Sequence, residues 1–319
     1  MNSIYADEAD IRAAYRLFLG REPDPSGMAH YMGLLGKKVS TDELREFFVN
    51  SEEFHNRNLS MNQLDQIDLG GISVVVDPNE PEFGRHIAKY RNWEPHIVEI
   101  LSKNLSPGDV YVDIGANVGV MSFHAARIVG PAGRIIAFEP NPVNAQNFLR
   151  GVWANKFDNV ILYQFAASDE GTIFSLVGSS NTWLSEPSMS GQVAQSIRVD
   201  TLLQQESRID FIKIDIEGHE PQALAGLIQT IKRHQPTILC EFNPRCLRDH
   251  IGLAPPLFAN KLFDLTDCIT VVEYNGATSE VSNAEDLISL WTRKNAEAVE
   301  RGFLPDGMLH FDLLFNANR

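Results

Sequence analysis

The segment Val110–Val120 reads VYVDIGANVGV and decides the fold. The apolar run VYVDI predicts a buried strand, and Gly115 and Gly119 lead from it directly into an apolar helical pattern. A glycine at such a bend lets a ligand approach the backbone, because no Cβ stands in the way. The start of the following helix offers free N–H groups. The segment therefore predicts a strand–loop–helix unit that binds a cofactor.

The chain around this unit alternates between strand and helix patterns. Short runs rich in Ile, Val and Phe, such as GRIIAFEP, RIDFIKIDIEG and PTILCEFN, are bounded by Gly, Pro, Asn and Asp. Helical patterns separate them, which predicts a doubly wound α/β fold with helices on both faces of a mostly parallel sheet. The segment NVILYQFAAS is predicted as one strand. The polar stretch around Trp183 is predicted as either a loop that contacts an acceptor or a surface hairpin.

Residues 1–58 follow a different, all-helical pattern. Apolar residues recur at helical spacing in DEADIRAAYRLFLG, and Ser40 with Glu43 has the spacing of a capping box. This segment predicts a small helical bundle. Residues 59–94 predict a connector with one strand, and residues 95–319 predict the α/β domain.

The composition is that of an acidic globular protein. The chain has 319 residues, and 27 basic against 42 acidic residues give a net charge of −15. Such a charge repels nucleic-acid phosphates and anionic membrane surfaces, so no nucleic-acid partner is expected. No apolar run approaches the ~18 residues of a membrane span and the N-terminus does not read as a secretory signal, so we expect a cytoplasmic protein. The three cysteines lack disulfide-framework or zinc-site spacing.

Two cofactor classes use a strand, a glycine loop and a helix in this order. A dinucleotide loop reads G-x-G-x-x-G, whereas here Asn117 takes the second glycine position and no third glycine is in register. Asp113 would repel a diphosphate, and its carboxylate suits a zwitterion such as the amino acid part of S-adenosylmethionine. Glu139 ends the next strand, where an acid accepts hydrogen bonds from ribose hydroxyls. The structural alternatives are an Asx turn at Asp113 and a solvated strand-end charge at Glu139.

Four motifs in order, VDIGANVGV, FEPNPVN, AASDEG and IKIDIEGHE, resemble the FkbM-type S-adenosylmethionine-dependent methyltransferases. The resemblance spans about Trp93–Phe315, including NWEP and the terminal LHFDLLF. It implies a class I methyltransferase sheet of seven strands whose last strand is antiparallel, and O-methylation of hydroxyls on sugars or natural products. The cofactor positions that it implies are Asp113, Gly115, Asn117, Gly119, Glu139, Pro140, Ala167 and Ser168, the last two near adenine.

A second resemblance concerns the helical segment. The stretches LFLGREPDPSGMAHYMGLL and FFVNSEEF resemble a small helical domain of bacterial surface and glycan-related proteins, likened to phycobilisome linker repeats. The resemblance covers about 45 residues and implies no chemistry. It implies a docking role, and hence a protein partner for this domain.

Polar residues follow the IKIDI strand at the edge where open α/β sheets bind ligands. Asp215, Glu217 and His219 are the candidate catalytic residues, because attack by a hydroxyl requires removal of its proton. The carboxylates fit the resembling family better than His219, although a histidine pKa near ~6.5 suits a base. Lys213 lies on the same strand face and predicts an ion pair with Asp215 or Glu241. No metal is predicted, and Mg²⁺ between Asp215 and Glu241 is the alternative.

These patterns together predict an O-methyltransferase that uses S-adenosylmethionine. Its acceptor is expected to be a small molecule or glycan: a sugar, a polysaccharide precursor or a glycosylated natural product. The alternatives are a non-catalytic scaffold that retains the fold and a nicotinamide oxidoreductase. The acids at the glycine loop argue against the scaffold, and the missing glycines argue against the oxidoreductase.

Overall fold

The N-terminal part of the chain forms a helical bundle with its own core. This computed structural model describes residues 5–19, 21–36, 38–54, 64–187 and 191–318. The bundle consists of α1 (Glu8–Leu19), α2 (Pro25–Leu35) and α3 (Thr41–Val49). The rings of Tyr31 and Phe48 stack 4.4 Å apart within it. The predicted capping box is present, because Ser40 Oγ accepts from the Glu43 N–H and the Glu43 carboxylate accepts from the Ser40 N–H.

The segment predicted as a connector holds more structure than the one strand expected from its sequence. Its elements are β1 (Asp65–Asp68), β2 (Ser73–Val76) and α4 (Phe83–Tyr90). Val74 and Phe83 are buried in the same apolar core as Phe148 of the α/β domain. The predicted boundary at 58/59 lies outside the described residues. The described part of the segment therefore packs as part of the α/β core.

The α/β domain is built on one large sheet. Its strands are β3 (Val110–Ile114), β4 (Arg134–Phe138), β5 (Val160–Tyr163), β10 (Phe211–Ile214), β11 (Thr237–Phe242), β12 (Ile269–Val272), β13 (Thr278–Val281) and β14 (Phe311–Asn316). Their order across the sheet is β13-β12-β14-β11-β10-β3-β4-β5. The five strands from β11 to β5 run parallel, and the last strand, β14, is antiparallel to β11. The predicted fold class and the antiparallel last strand are confirmed.

The described part of the sheet has eight strands rather than the seven expected, because β13 pairs with β12 at the edge. Helices cover both faces: α5 (Pro95–Asn104), α6 (Val120–Val129), α7 (Pro142–Asn155), α8 (Asp200–Leu203), α9 (Glu220–Gly226), α10 (Ile228–His234), α11 (Pro244–Ile251), α12 (Pro255–Phe263) and α13 (Ala284–Glu300). One core contains Phe123 of α6 and Phe148 of α7, and the other contains Leu224 of α9 and Phe258 of α12. None of the described helices is long and apolar enough to cross a membrane.

A second, four-stranded sheet lies beside the first. Its strands are β6 (Ala166–Ser168), β7 (Ile173–Gly178), β8 (Thr182–Ser185) and β9 (Gln192–Arg198), in the order β6-β9-β7-β8. The single strand predicted for NVILYQFAAS is thus divided between β5 and β6. The stretch around Trp183 forms the β7–β8 hairpin, and residues 188–190 lie outside the described ranges.

Candidate active site

A cavity of about 350 Å³ lies at the carboxyl ends of β3, β4, β10 and β11. The β7–β8 hairpin tip and the residues before α5 also line it. Ligands of open α/β sheets bind at this edge, and small-molecule sites have volumes of about 300–1,000 Å³. The position and size of the cavity therefore suit a small organic cofactor together with part of an acceptor.

The glycine loop brings backbone close to this cavity. Gly115 has φ 86°, and a Cβ there would overlap the carbonyl oxygen of Asp215. Asn117 has φ 50° and also lines the cavity. Gly119 does not line it; the residue begins α6 at φ 99°, where a Cβ would overlap the Phe123 ring. Gly115 thus shapes the cavity itself, while Gly119 fixes the approach of the helix.

Asp113 reaches the cavity from the end of β3. Its side chain is fully buried, and Oδ2 accepts a 2.6 Å hydrogen bond from Ser122 Oγ. Oδ1 has no hydrogen-bond partner in the described part of the chain. Burial raises the pKa of Asp113, while the Lys213 ammonium acts in the opposite direction. A buried carboxylate oxygen without a partner suits a cationic group of a bound ligand.

Glu139 closes the loop from the end of β4. Its Oε2 accepts from the Asn117 N–H and its Oε1 from the Asn141 N–H, each at 2.8 Å. Burial raises the pKa of this carboxyl group to about 7, although the two hydrogen bonds lower it. Each carboxylate oxygen can accept a further hydrogen bond, so ligand hydroxyls can still be bound. Pro140 and Ala167 line the cavity beside it, whereas Ser168 does not.

The end of β10 carries the predicted ion pair. Lys213 Nζ donates to Asp215 Oδ2 at 2.8 Å. Burial lowers the pKa of Lys213, but Asp215 and Asp113 outweigh this and raise it. Glu241 faces the same cavity with Oε2 unpartnered among the described residues, and burial with its acidic neighbours raises its pKa. The Lys213 ammonium therefore supplies the positive charge beside Asp215.

Glu217 and His219 follow on the next turn and both line the cavity. Glu217 lies at φ 55°, and its Oε2 accepts from Cys246 Sγ at 3.4 Å. Burial raises its pKa. His219 Nε2 is 3.1 Å from Ser168 Oγ, and burial lowers the pKa of the ring to about 4. At neutral pH His219 is consequently an uncharged hydrogen-bonding group.

The described residues contain no group of three or more His, Cys, Asp or Glu side chains that could hold a metal ion. Asp215 and Glu241, the pair considered for Mg²⁺, both line the cavity, but Asp215 already pairs with Lys213.

The stretch around Trp183, expected to be either an acceptor loop or a surface hairpin, lines the cavity through the neighbours of Trp183 and not through its ring. Thr182 and Leu184 line the cavity, while the Trp183 ring stacks on His250 at 4.6 Å.

Several cavity residues were not singled out in the sequence. Glu94 is half-buried before α5 at φ 40°, and burial with nearby Asp215 raises its pKa to about 8. Trp93, Tyr274 and His310 add aromatic walls. The NWEP motif was the available signal for Trp93 and Glu94, since it forms part of the family resemblance. Tyr274 and His310 come from distant segments without a motif.

Residues 113–251 match the family model described as the Methyltransferase FkbM domain. This segment is an FkbM methyltransferase domain. The match confirms the S-adenosylmethionine-dependent methyltransferase predicted from the sequence, and it covers the glycine loop, Glu139 and the β10 edge. Residues 4–58 match a model described as a Domain of unknown function (DUF4214), consistent with a separate small N-terminal domain.

The chain is also similar to solved structures. The structure of methyltransferase FkbM from Methylobacillus flagellatus KT is 15% identical with a TM-score of 0.37, over 95% of this chain and 58% of that one. M. jannaschii TYW2 in complex with AdoMet is 12% identical with a TM-score of 0.43, over 81% of this chain and 87% of that one. An rRNA methylase from Streptococcus thermophilus is 8% identical with a TM-score of 0.42, over 72% of this chain and 98% of that one. No curated protein matches the sequence.

Proposed function

We propose that this FkbM methyltransferase transfers a methyl group to a hydroxyl of a sugar, a polysaccharide precursor or a glycosylated natural product in the cytoplasm. The observation that carries the proposal is a single cavity that joins the glycine loop to a set of carboxyl groups. Glu94, Asp215, Glu217 and Glu241 line it, beside the indole of Trp93. Carboxyl groups bind hydroxyls by hydrogen bonds, and an aromatic face packs against the apolar face of a sugar ring.

The loop side of the cavity fits S-adenosylmethionine. Asp113 offers an unpartnered buried oxygen for a cationic amino group. Gly115 lets the loop pass close to the Asp215 carbonyl, which a Cβ would overlap. Glu139 keeps hydrogen-bonding capacity for ribose hydroxyls. The residues proposed to hold the cofactor are Asp113, Gly115, Asn117, Glu139, Pro140 and Ala167, with Gly119 and Ser168 supporting them from behind the cavity wall. When bound, S-adenosylmethionine supplies an electrophilic methyl group on a positively charged sulfur.

The β10 side of the cavity is proposed to receive the acceptor. Asp215, held by Lys213, and Glu217 accept hydrogen bonds from acceptor hydroxyls. His219 is fixed by Ser168 and is neutral, so it orients the acceptor rather than carrying charge. Correct alignment of a hydroxyl with the methyl group is itself a large part of such catalysis. The N-terminal bundle is proposed to dock a protein partner.

The experiment combines the purified protein with methyl-labelled S-adenosylmethionine and a panel of acceptors. The panel contains alkyl glycosides, oligosaccharide fragments, a catechol and a lysine-containing peptide. We expect label only in the carbohydrates, and an O-methyl group in the product by mass spectrometry and NMR. Transfer confined to the peptide nitrogen or to the catechol would contradict the proposal.

A further inference from the structure

Left-handed backbone conformations are concentrated at the cavity. Within the described ranges, seven non-glycine residues have positive φ. Three of them cap the C-terminal ends of helices, where this conformation is common: Arg91, Lys156 and Gln235. Lys38 lies in the loop after α2. The other three, Glu94, Asn117 and Glu217, line the cavity. Non-glycine residues in this region are strained, and such strain persists at functional sites.

The conformation of Glu94 is not explained by its helix. Its carbonyl accepts from the Ile97 N–H at 2.9 Å at the start of α5, but its side chain does not cap the helix. The carboxyl group makes no hydrogen bond or ion pair with any other described residue. The backbone thus holds a polar side chain at the cavity wall without a structural partner for it.

The surroundings of Glu94 are mostly acidic. Asp215 and Glu217 face it from the end of β10 and the turn beyond, together with Lys213, and Asp312 faces it from β14. Asp312 also pairs with His96 Nε2 at 3.1 Å, and the other titratable groups that line the cavity are His86, Asp113, Glu139, His219, Glu241, Tyr274 and His310. Burial and the three carboxylates raise the pKa of Glu94 to about 8, against the effect of Lys213. A carboxyl group of this kind holds a proton firmly once it has accepted one.

Each of the other candidate proton acceptors already has one side-chain atom in a hydrogen bond. Asp215 Oδ2 accepts from Lys213, and Glu217 Oε2 accepts from Cys246. His219 Nε2 is bonded to Ser168, and with a pKa of about 4 the ring is a weak base. Glu241 Oε1 accepts from Asn243 Nδ2 at 3.4 Å, and Glu241 Oε2 has no hydrogen-bond partner among the described residues. Both oxygens of Glu94 are free to receive a hydroxyl proton.

We propose that Glu94 is the general base of this methyltransferase. The inference rests on the proposed function, in which the acceptor is a hydroxyl. The acceptor oxygen forms a bond to the methyl carbon as the carbon–sulfur bond breaks, and that bond's electron pair stays on sulfur, leaving S-adenosylhomocysteine. The acceptor O–H bond breaks and its proton passes to the Glu94 carboxylate, which later releases it to solvent.

The first test compares Glu94→Gln and Glu94→Asp with wild type in single-turnover methyl transfer to the carbohydrate acceptor. Glu94→Gln should lower the rate at least ~10²-fold, and Glu94→Asp should recover part of it. The wild-type rate should rise with pH through about 8, and Glu94→Gln should lose this rise. Arg91→Gly, a change at the left-handed end of α4, is the control and should keep full activity. An active Glu94→Gln enzyme with the wild-type pH profile would overturn the proposal.

The second test is thermal unfolding, which needs no acceptor. A carboxyl whose pKa is raised on folding costs stability as pH rises from its ordinary 4.5 through about 8. Glu94→Gln should therefore melt about 2–4 °C above wild type at pH 9 and equal to it at pH 4.5. A lower melting temperature of Glu94→Gln at every pH would show a structural role and overturn the proposal. If the wild-type protein methylates no carbohydrate, the proposed function fails. If the wild-type protein methylates the carbohydrate and Glu94→Gln does so at the same rate, only the assignment of Glu94 as the base fails.

Discussion

Glu139 is bound from two sides by the backbone, through the Asn117 and Asn141 N–H groups. We expect Glu139→Gln to weaken S-adenosylmethionine binding about 10–100-fold, because charge-assisted hydrogen bonds contribute roughly 1.5–3 kcal/mol. Since its pKa is about 7, the wild-type affinity should rise between pH 6 and 8 as the stronger, ionised acceptor forms. Isothermal titration calorimetry at both pH values measures this.

The matched control for this change is Glu170→Gln. Glu170 is an exposed acid outside the cavity. Its variant should keep both the affinity and the pH dependence. Unchanged cofactor binding by Glu139→Gln at both pH values would place the ribose elsewhere.

His219 illustrates how the environment changes the role of a side chain. Burial lowers its pKa to about 4, so its NMR resonances should titrate near that value rather than near 6.5. Because the charged form is disfavoured on folding, the associated stability is present above pH 6.5 and is lost as pH falls toward 4. His219→Ala should cost about 10-fold in turnover through lost orientation. A titration near 6.5 together with a larger loss would make His219 the base.

The sequence predicts the acidic site residues that lie directly at strand ends, but it does not predict that Glu94 belongs to the site. Asp113, Glu139 and Asp215 follow apolar runs, so their meeting at one edge follows from parallel pairing. Glu94 itself has a left-handed backbone conformation just before a helix, and this conformation places it at the cavity wall. No local periodicity of the sequence encodes that geometry. The charges that raise its pKa come from β10 and β14, far away in the chain.

At the scale of elements, the β7–β8 hairpin covers the cavity and is held by α7 and α11. Asn144 Nδ2 donates to the Ser180 carbonyl at 2.8 Å, and Asn141 Nδ2 donates to the Ser179 carbonyl at 3.1 Å. Trp183 stacks on His250 of α11 from the other side. The tip between these attachments contributes Ser180, Asn181 and Thr182 to the cavity wall. The hairpin therefore orders one wall of the cavity.

We expect Asn144→Ala to speed dissociation of S-adenosylmethionine about threefold to tenfold. The lost hydrogen bond contributes about 0.5–1.5 kcal/mol, and its loss leaves the Ser180 carbonyl unpaired near the cavity. Dissociation of labelled cofactor after rapid dilution measures the rate. Glu186→Gln, an exposed change on the same hairpin, should leave it unchanged. Equal rates for Asn144→Ala and wild type would mean that the hairpin does not retain the cofactor.

Element types were easier to predict than strand pairing. The alternation of apolar runs and amphipathic segments identified the parallel strands, because both faces of such a sheet are buried. The division of NVILYQFAAS between β5 and β6 depends on partners: β5 pairs with β4, whereas β6 pairs with β9. Two of the four residues of the edge strand β13 are exposed and only one is buried, so the strand lacks the apolar signal of the core strands.

The whole molecule has a bundle core separate from the two cores of the α/β domain. Arg16 Nη1 donates to Gln195 Oε1 at 2.9 Å across the junction, and α1 packs against α7. Exposed polar contacts of this kind contribute little to stability. No described residue of the bundle lines the cavity.

We therefore expect a chain of residues 64–319 to fold and to bind S-adenosylmethionine as the full protein does, within about threefold. A chain of residues 95–319 should be insoluble, because removal of β1, β2 and α4 strips the partners of Phe123 and Phe148 from their core. Circular dichroism, melting temperature and calorimetric titration of both chains give the answer. Cofactor binding that is lost on removing residues 1–63 alone would make the bundle part of the catalytic unit. A folded, binding-competent 95–319 chain would instead show that the preceding segment is dispensable, contrary to its burial against α6 and α7.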